Sequence, residues 1–141
     1  MMIDNKVDNL LNGIYNLFEL KFPSKNFDIN PIINELGYHI TYLGVDYSIN
    51  FTHEKSMRFE LRAEYSKSMP NLEEKFTKMR ISNKQLEETK YLSNQQININ
   101  SSSINVSCRI KKVPTFERDI NFLCDQLWGL IIKNVFSSIH N

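Results

Sequence analysis

Between Ile97 and Ile110 apolar and polar residues alternate, and the phase of that alternation reverses once. In "ININSSSINVSCRI" the apolar residues Ile97 and Ile99 stand at odd positions, whereas Ile104, Val106, Cys108 and Ile110 stand at even ones. Successive side chains of a strand point to opposite faces, so a strand continued through the serines sends its two halves to opposite sides of a sheet. A hairpin turning at Ser101 and Ser102 removes the conflict. Ile99 then faces Ile104, Ile97 faces Val106, and the apolar set shares one side. Ser-Ser is a poor type I′ turn, which favours a four-residue loop "NSSS" built around a type I turn. One long strand with a bulge also restores the phase and remains the alternative.

The same period organises residues 43 to 65. Leu43, Val45, Tyr47, Ile49 and Phe51 form one face of a strand, and Met57, Phe59, Leu61, Ala63 and Tyr65 one face of the next. Pairing Phe51 with Met57 sets Ile49 opposite Phe59, Tyr47 opposite Leu61 and Val45 opposite Ala63. On the other face it sets Arg62 against Asp46, among Arg58, Glu60 and Glu64. A face so charged stays wet, so only one side of the sheet is covered. Tyr38, Ile40 and Tyr42 run out of step with Leu43 onward, and Gly44 marks a bulge there.

Helical spacing frames these strands. Val7, Leu10, Leu11, Ile14, Leu17 and Phe18 make one apolar stripe that Pro23 ends. "NPIINELG" reads as a short helix with Asn30 as cap, Pro31 at the first helical position and Gly37 past the end. "PNLEEKF" gives another, capped by Asn71 with Glu74 three residues on and with Leu72, Phe76 and Met79 inward; the alternation Thr77, Met79, Ile81 competes with it as a strand. Residues 82–96 read as a second short helix or a connection. The last segment, capped by Thr115, is apolar at Phe116, Ile120, Leu123, Cys124, Leu127, Trp128, Ile131, Val135 and Ile139. At a constant helical turn all the apolar side chains of the segment, with Leu130, Ile132 and Phe136 included, sweep roughly 240°, wider than a surface helix needs. The helix therefore meets both the sheet and the N-terminal helix, or offers a spare edge at Trp128 to a second copy in a homodimer.

These elements predict a single α+β domain over residues 1–141. It has one antiparallel sheet of about four to five strands, with the N- and C-terminal helices packed on one face. Phe59, Leu61, Tyr47, Ile99, Ile104, Val106, Leu123, Leu127 and Ile131 are its expected core.

The chemistry is sparse. His39, His53 and His140 have no metal-ligand spacing, with His53 in a hairpin loop and His140 frayed at the end. Glu73–Glu74 and Glu87–Glu88 are adjacent pairs that do not face each other on a helix. The four glycines form no phosphate-cradling loop. Cys108 and Cys124 lie among apolar neighbours, as buried free thiols do. The expectation is a protein without catalytic groups, cofactor or metal. Asp4, Lys6, Asp8 and Glu19 break up the first twenty residues, which do not read as a signal peptide, and no apolar run is long enough to span a bilayer. Cytoplasmic location follows. The abundance of Asn and Ile fits an AT-rich bacterial or phage genome.

Charge is more informative in its distribution than in its net value of +1. Residues 1–54 carry seven acidic and three basic side chains, and residues 55–112 carry six acidic and twelve basic. Such polarity suits a partner-binding module whose charges steer the encounter. The residues nominated for contact are Arg58, Arg62, Lys78, Arg80, Arg109, Lys111, Lys112 and Trp128. The partner expected is a protein, such as a toxin, effector or defence protein, that this chain occludes or escorts. The alternative is a nucleic-acid-binding accessory protein using Lys75, Lys78, Arg80, Lys84, Arg109, Lys111 and Lys112, with Tyr91 to stack a base. Glu73, Glu74, Glu87 and Glu88 interrupt that patch, and the pI of 7.7 is low for such a role.

The order helix, antiparallel strands, short helix, hairpin and long C-terminal helix resembles that of dimeric type III secretion chaperones. It is more loosely similar to SecB-type export chaperones and to the small immunity proteins of bacterial toxin systems. The resemblance is one of element order over most of the chain and carries no individual residue across. It implies a non-catalytic protein-binding role. Secretion chaperones are typically acidic, and this chain is not.

Overall fold

Six strands pair throughout as antiparallel neighbours: β1 (Phe27–Pro31), β2 (Gly37–Tyr42), β3 (Val45–His53), β4 (Met57–Glu64), β5 (Leu92–Ile99) and β6 (Ser103–Ile110). They form one sheet in the order β1-β2-β3-β4-β6-β5. The helices are α1 (Met2–Lys21), α2 (Leu72–Met79) and α3, which runs as Glu117–Leu127, a π-helical stretch Trp128–Ile132, and Lys133–His140. This computed structural model describes residues 2–21, 27–32, 36–53, 56–65, 71–79, 85 and 88–140. The class is the expected α+β, with more strands than the four to five expected.

The extra strands come from phase reversals. Leu43 and Gly44 have φ of 48° and 79° and form the two-residue connection of a tight hairpin. Positive φ at both central positions is the type I′ requirement, so Gly44 belongs to a turn and not to a bulge. Ile40 pairs with Tyr47 and Tyr42 with Val45 across it. The serine hairpin obeys the same logic, with Ile99 opposite Ile104 and Ile97 opposite Val106. There the Asn100 side-chain oxygen accepts the backbone N–H groups of Ser102 and Ser103 at 2.9 and 2.8 Å. No serine needs positive φ, because the asparagine supplies the turn's acceptor. The single long strand with a bulge at the serines is not formed, and a bulge occurs instead further back in β5. An extra residue between Ser93 and Gln96, with Asn94 at φ 52°, starts β5 at Leu92, before the expected residue 95. It switches the inward side chain from Leu92 to the odd-numbered Ile97 and Ile99.

Two further expectations are corrected. "NPIINELG" contributes edge strand β1, with Asn30 opposite His39 and Pro31 opposite Tyr38. Proline suits an edge that needs no ladder donor there. Gly37 opens β2, and residues 33–35 of the expected helix lie outside the described residues. A Cβ at that position would run into the Ile49 carbonyl and the Asn50 side chain of β3. In the β3–β4 hairpin Phe51 faces Phe59, Ile49 faces Leu61 and His53 faces Met57, two residues from the expected register. An even shift leaves every side chain on its expected face. Arg62 consequently lies opposite Ser48 and not Asp46.

The inner face is covered by the helices. Val7, Leu10, Leu11, Ile14 and Phe18 of α1 are buried with Tyr47, Phe59, Leu61, Ile104 and Val106 of the sheet and Leu123, Leu127 and Ile131 of α3 in one apolar cluster, while Ile99 and Leu17 pack at its margin. β4 and β5 run in the same direction with β6 between them. The connection through α2, whose Leu72 and Phe76 are buried, lies in the helical layer against the last part of α3. The strand reading of Thr77 and Met79 gives way to this helix; Ile81 and residues 82–84 and 86–87 lie outside the described residues.

The breadth of the α3 stripe has a geometric origin. Thr115 does not cap it. Phe116 is the N-cap residue and is 71% exposed, so the buried stripe starts at Ile120. Past Leu127 the Lys133 N–H donates to the Trp128 carbonyl, a bond to the fifth residue back. At about 4.4 residues per turn, five π-helical residues lag an α-helix by roughly 90°. That lag brings Val135, Phe136 and Ile139 back over the same core as Leu123 and Leu127. Trp128, at the start of that stretch, is buried edge-on to Phe18 with ring centroids 4.8 Å apart, so it packs within the chain and offers no open edge there.

Helices α1 and α3 approach closely at Gly13, where a Cβ would lie 2.6 Å from the Cys124 Sγ. The thiol also donates to the Leu10 carbonyl at 3.4 Å. Among the described residues, no atom outside the helix's own neighbouring turns lies within 4 Å of a Cβ at Gly129. Alanine in place of glycine favours a helix by about 1 kcal/mol, and overpacking costs about 1–3 kcal/mol. Chemical denaturation should therefore show Gly129→Ala stabilising and Gly13→Ala destabilising, with the Gly13→Ala loss smaller in a Cys124→Ala background.

Candidate functional site

The helices shield one side of the sheet, and the other side is open. Its side chains come from the positions between the apolar ones and align in cross-strand rows. Asp28, Thr41, Asp46, Glu64 and Ser103 form the row at one end. Asn30, His39, Ser48, Arg62, Asn105 and Asn98 form the next. Asn50, Glu60, Ser107 and Gln96 follow, and Thr52, Arg58, Arg109 and Ser93 close the far end. The face is thus acidic at one end and basic at the other. Six residues along β4 separate Arg58 from Glu64, about 20 Å of strand.

Two contacts organise the acidic end. Arg62 Nε lies 3.0 Å from Glu64 Oε1, and His39 Nε2 lies 3.8 Å from Asp46 Oδ1. All four side chains are at least half exposed, so these pairs are worth a few tenths of a kcal/mol at most, roughly, and hold side chains in place more than they stabilise the fold. Thr41 Oγ1 donates weakly to Asp46 Oδ1 at 3.4 Å. Beside them a recess of about 420 Å³ opens between Asp46, Arg62, Glu64, Tyr65, Ser102 and Ser103.

At the basic end the bulge has a positioning effect. Arg58 Nη2 donates to Ser107 Oγ at 3.0 Å and reaches toward the carbonyl of Asn94, the left-handed residue of the bulge, at 3.4 Å. Arg109 stands directly across the ladder from Arg58 and is exposed.

The nominated contact residues are divided. Arg58, Arg62 and Arg109 share the open face. Lys111, just past β6, donates its Nζ to the Thr89 carbonyl at 3.0 Å, and Lys112 beside it is exposed. Lys78 belongs to the helical layer, 3.4 Å from Glu74 one turn earlier, and Trp128 is in the core. Arg80 and Lys84 lie outside the described residues. Tyr91 is 4% exposed and presents no stacking surface. His39, read in the sequence only as a histidine without metal-ligand spacing, and Asp46, read only as a cross-strand acid, are not among the nominated contact residues. The Asn94 bulge has no sequence signal. His39 and Asp46 are nonetheless out of phase with the apolar residues of their strands, which is the signal that marks them.

The buried titratable groups serve the core. Burial pushes the Cys108 and Cys124 thiols up to about 12, so both stay protonated and unreactive at neutral pH. Tyr47 stacks on Phe136 at 3.9 Å, and its hydroxyl lies 2.6 Å from His140 Nε2, so His140 is docked and not frayed. Burial raises the Tyr47 pKa and lowers that of His140. Both groups therefore stay neutral, and the imidazole tautomer sets which of them donates. Among the described residues no group of His, Cys, Asp or Glu is arranged to hold a metal ion, and no helix is long and apolar enough to cross a membrane.

No family model, curated protein or solved structure matches the chain. The class these observations define is an α+β protein with a six-stranded antiparallel sheet, closed by helices on one face and polar and charge-sorted on the other.

His140 makes the fold pH-sensitive. Its folded pKa lies below the ordinary 6.5, so the unfolded chain takes up a proton more readily. The stabilising contribution is present above about pH 6.5 and declines as pH falls below it. Urea midpoints measured from pH 8 to pH 5 should fall on acidification, and His140→Gln, which keeps an acceptor for Tyr47, should flatten that decline.

Proposed function

We propose that the protein is a non-catalytic protein-binding module of bacterial or phage origin that occludes or escorts a partner, as an immunity protein, inhibitor or chaperone does. The open face of the sheet is its contact surface. The observation that carries this reading is the sorting of charge along that face, Asp28, Asp46 and Glu64 at one end and Arg58 and Arg109 at the other. Opposed charges at the two ends fix the orientation of a docking protein and speed its encounter. The face measures some ~25 Å by ~20 Å, the same order as the ~800 Å² each protein contributes to a standard interface. Between the ends Ser48, Asn105 and Gln96, standing beside Arg62 and Glu60, can exchange hydrogen bonds with either a backbone or polar side chains.

Nucleic acid is less well served. The acidic row repels a phosphate backbone tracking across the sheet, Lys78 is on the helical side, and no exposed aromatic side chain stands in the four rows.

A tagged copy should retain one stoichiometric protein from its native host. Asn105→Arg, at the middle of the open face, should release it, whereas Asn9→Arg on α1 should not, provided both variants melt as the parent does. Retention of nothing at low salt, or capture indifferent to Asn105→Arg, contradicts the reading. So does an oligonucleotide gel shift that falls steeply with salt and weakens when Arg109, Lys111 and Lys112 are replaced.

A further inference from the structure

We propose that Arg58 and Arg109 form a carboxylate-receiving subsite, which takes an aspartate or glutamate from an acidic segment of the protein partner. The inference rests on the open face being the contact surface, and it names the chemistry of what docks at one end of it.

Three observations converge. Register places the two arginines directly opposite each other on adjacent strands. Like charges in that position repel, so the pair costs stability until an anion lies between them. Neither guanidinium forms an ion pair among the described residues. Glu60 is the nearest acid on the same face of β4, lies opposite Ser107, and pairs with neither arginine.

The two side chains are also unequal in a useful way. Arg58 is half-buried and held by Ser107 Oγ and the Asn94 carbonyl, so less conformational freedom is lost when it receives a ligand. The Ser107 residue beneath it is itself 8% exposed. Arg109 makes no hydrogen bond or ion pair among the described residues, and its planar fork is left to close on a carboxylate in a bidentate pair. The bulge at Asn94 supplies the backbone carbonyl that Arg58 reaches for, a common use of such irregularities.

The occupant is an acidic protein segment because of what surrounds the pair. A polyanion extending along the strands meets Glu60 and then Glu64 within about 20 Å. Glu60 already stands about 7 Å along β4 from Arg58, so a protein segment fits by setting one or two carboxylates at the arginines and neutral residues beyond them, which a uniformly charged polyanion cannot do.

The test is a titration of isotope-labelled protein with a capped Gly-Gly-Glu-Glu-Gly-Gly peptide, followed through the arginine side-chain resonances, with oligothymidylate and inorganic phosphate as comparison probes. The peptide should shift the Arg58 and Arg109 signals saturably. Arg109→Glu should weaken it about tenfold or more, Arg109→Lys by less because the bidentate geometry is lost, and Lys78→Glu not at all. The proposal is overturned by a silent titration, by equal weakening in Lys78→Glu, by tighter binding of oligothymidylate or phosphate at the same arginines, or by self-association that Arg109→Glu abolishes. A silent titration with capture still dependent on Asn105 removes the subsite and keeps the contact face. Saturable peptide binding with capture indifferent to Asn105 removes the face.

Discussion

The sheet has one dry side, and every strand must turn its apolar residues toward it. Tyr47, Ile49, Phe59, Leu61, Ile104 and Val106 are almost wholly buried there. At about 1.5–3 kcal/mol for each large apolar side chain removed from water, this burial is the main force ordering the chain. A slip of one residue in any strand would carry its apolar set to the wet side. The remaining features of the fold keep that single phase intact through turns, a bulge and a helix.

Three local devices do so by different means. Leu43 and Gly44 reverse the chain through two positive-φ residues, and Asn100 reverses it by lending a side-chain oxygen to two backbone donors. Asn94 and its neighbour insert one residue into β5, so that Leu92 and Ile97 point the same way despite opposite parity. In α3 the π-helical stretch plays the equivalent part, rotating the second half of the helix back over the core. The open face is the complement of this arrangement. Its rows are straight because the inner rows are, and its charges fall at opposite ends because Asp46 and Glu64 are partners in one row while Arg58 and Arg109 are partners in another.

Period and phase were readable in the residues, and they placed the β3–β4 and β5–β6 faces and the stripes of α1 and α3. What misled was local chemistry with two uses. Asn30, Pro31 and Gly37 carry helix-boundary signals, yet the proline sits on a sheet edge and the glycine admits the close passage of β3. The phase change at Gly44 was seen, but a bulge and a two-residue turn produce the same change, and the turn adds a strand. The width of the α3 stripe leaves two readings open at a constant helical turn, packing within the chain or an edge for a second copy. With the π-helical stretch in place, Trp128, Val135 and Phe136 all lie in the core of one chain. The arginines of the candidate site were visible as basic residues; that Arg58 faces Arg109 depended on β6 entering between β4 and β5, a choice of neighbours that alternation alone does not contain.

The account stands on which side of each strand meets water. Solvent paramagnetic relaxation with an inert gadolinium chelate reads that directly, side chain by side chain. The Asn98, Asn105 and Gln96 amide groups should broaden strongly, and the Phe59 ring and the Ile49, Leu61 and Ile104 methyl groups should be spared. Comparable broadening of the two sets, or sparing of Asn105 with exposure of Ile104, would contradict the one-sided sheet and remove the surface on which the functional reading is built.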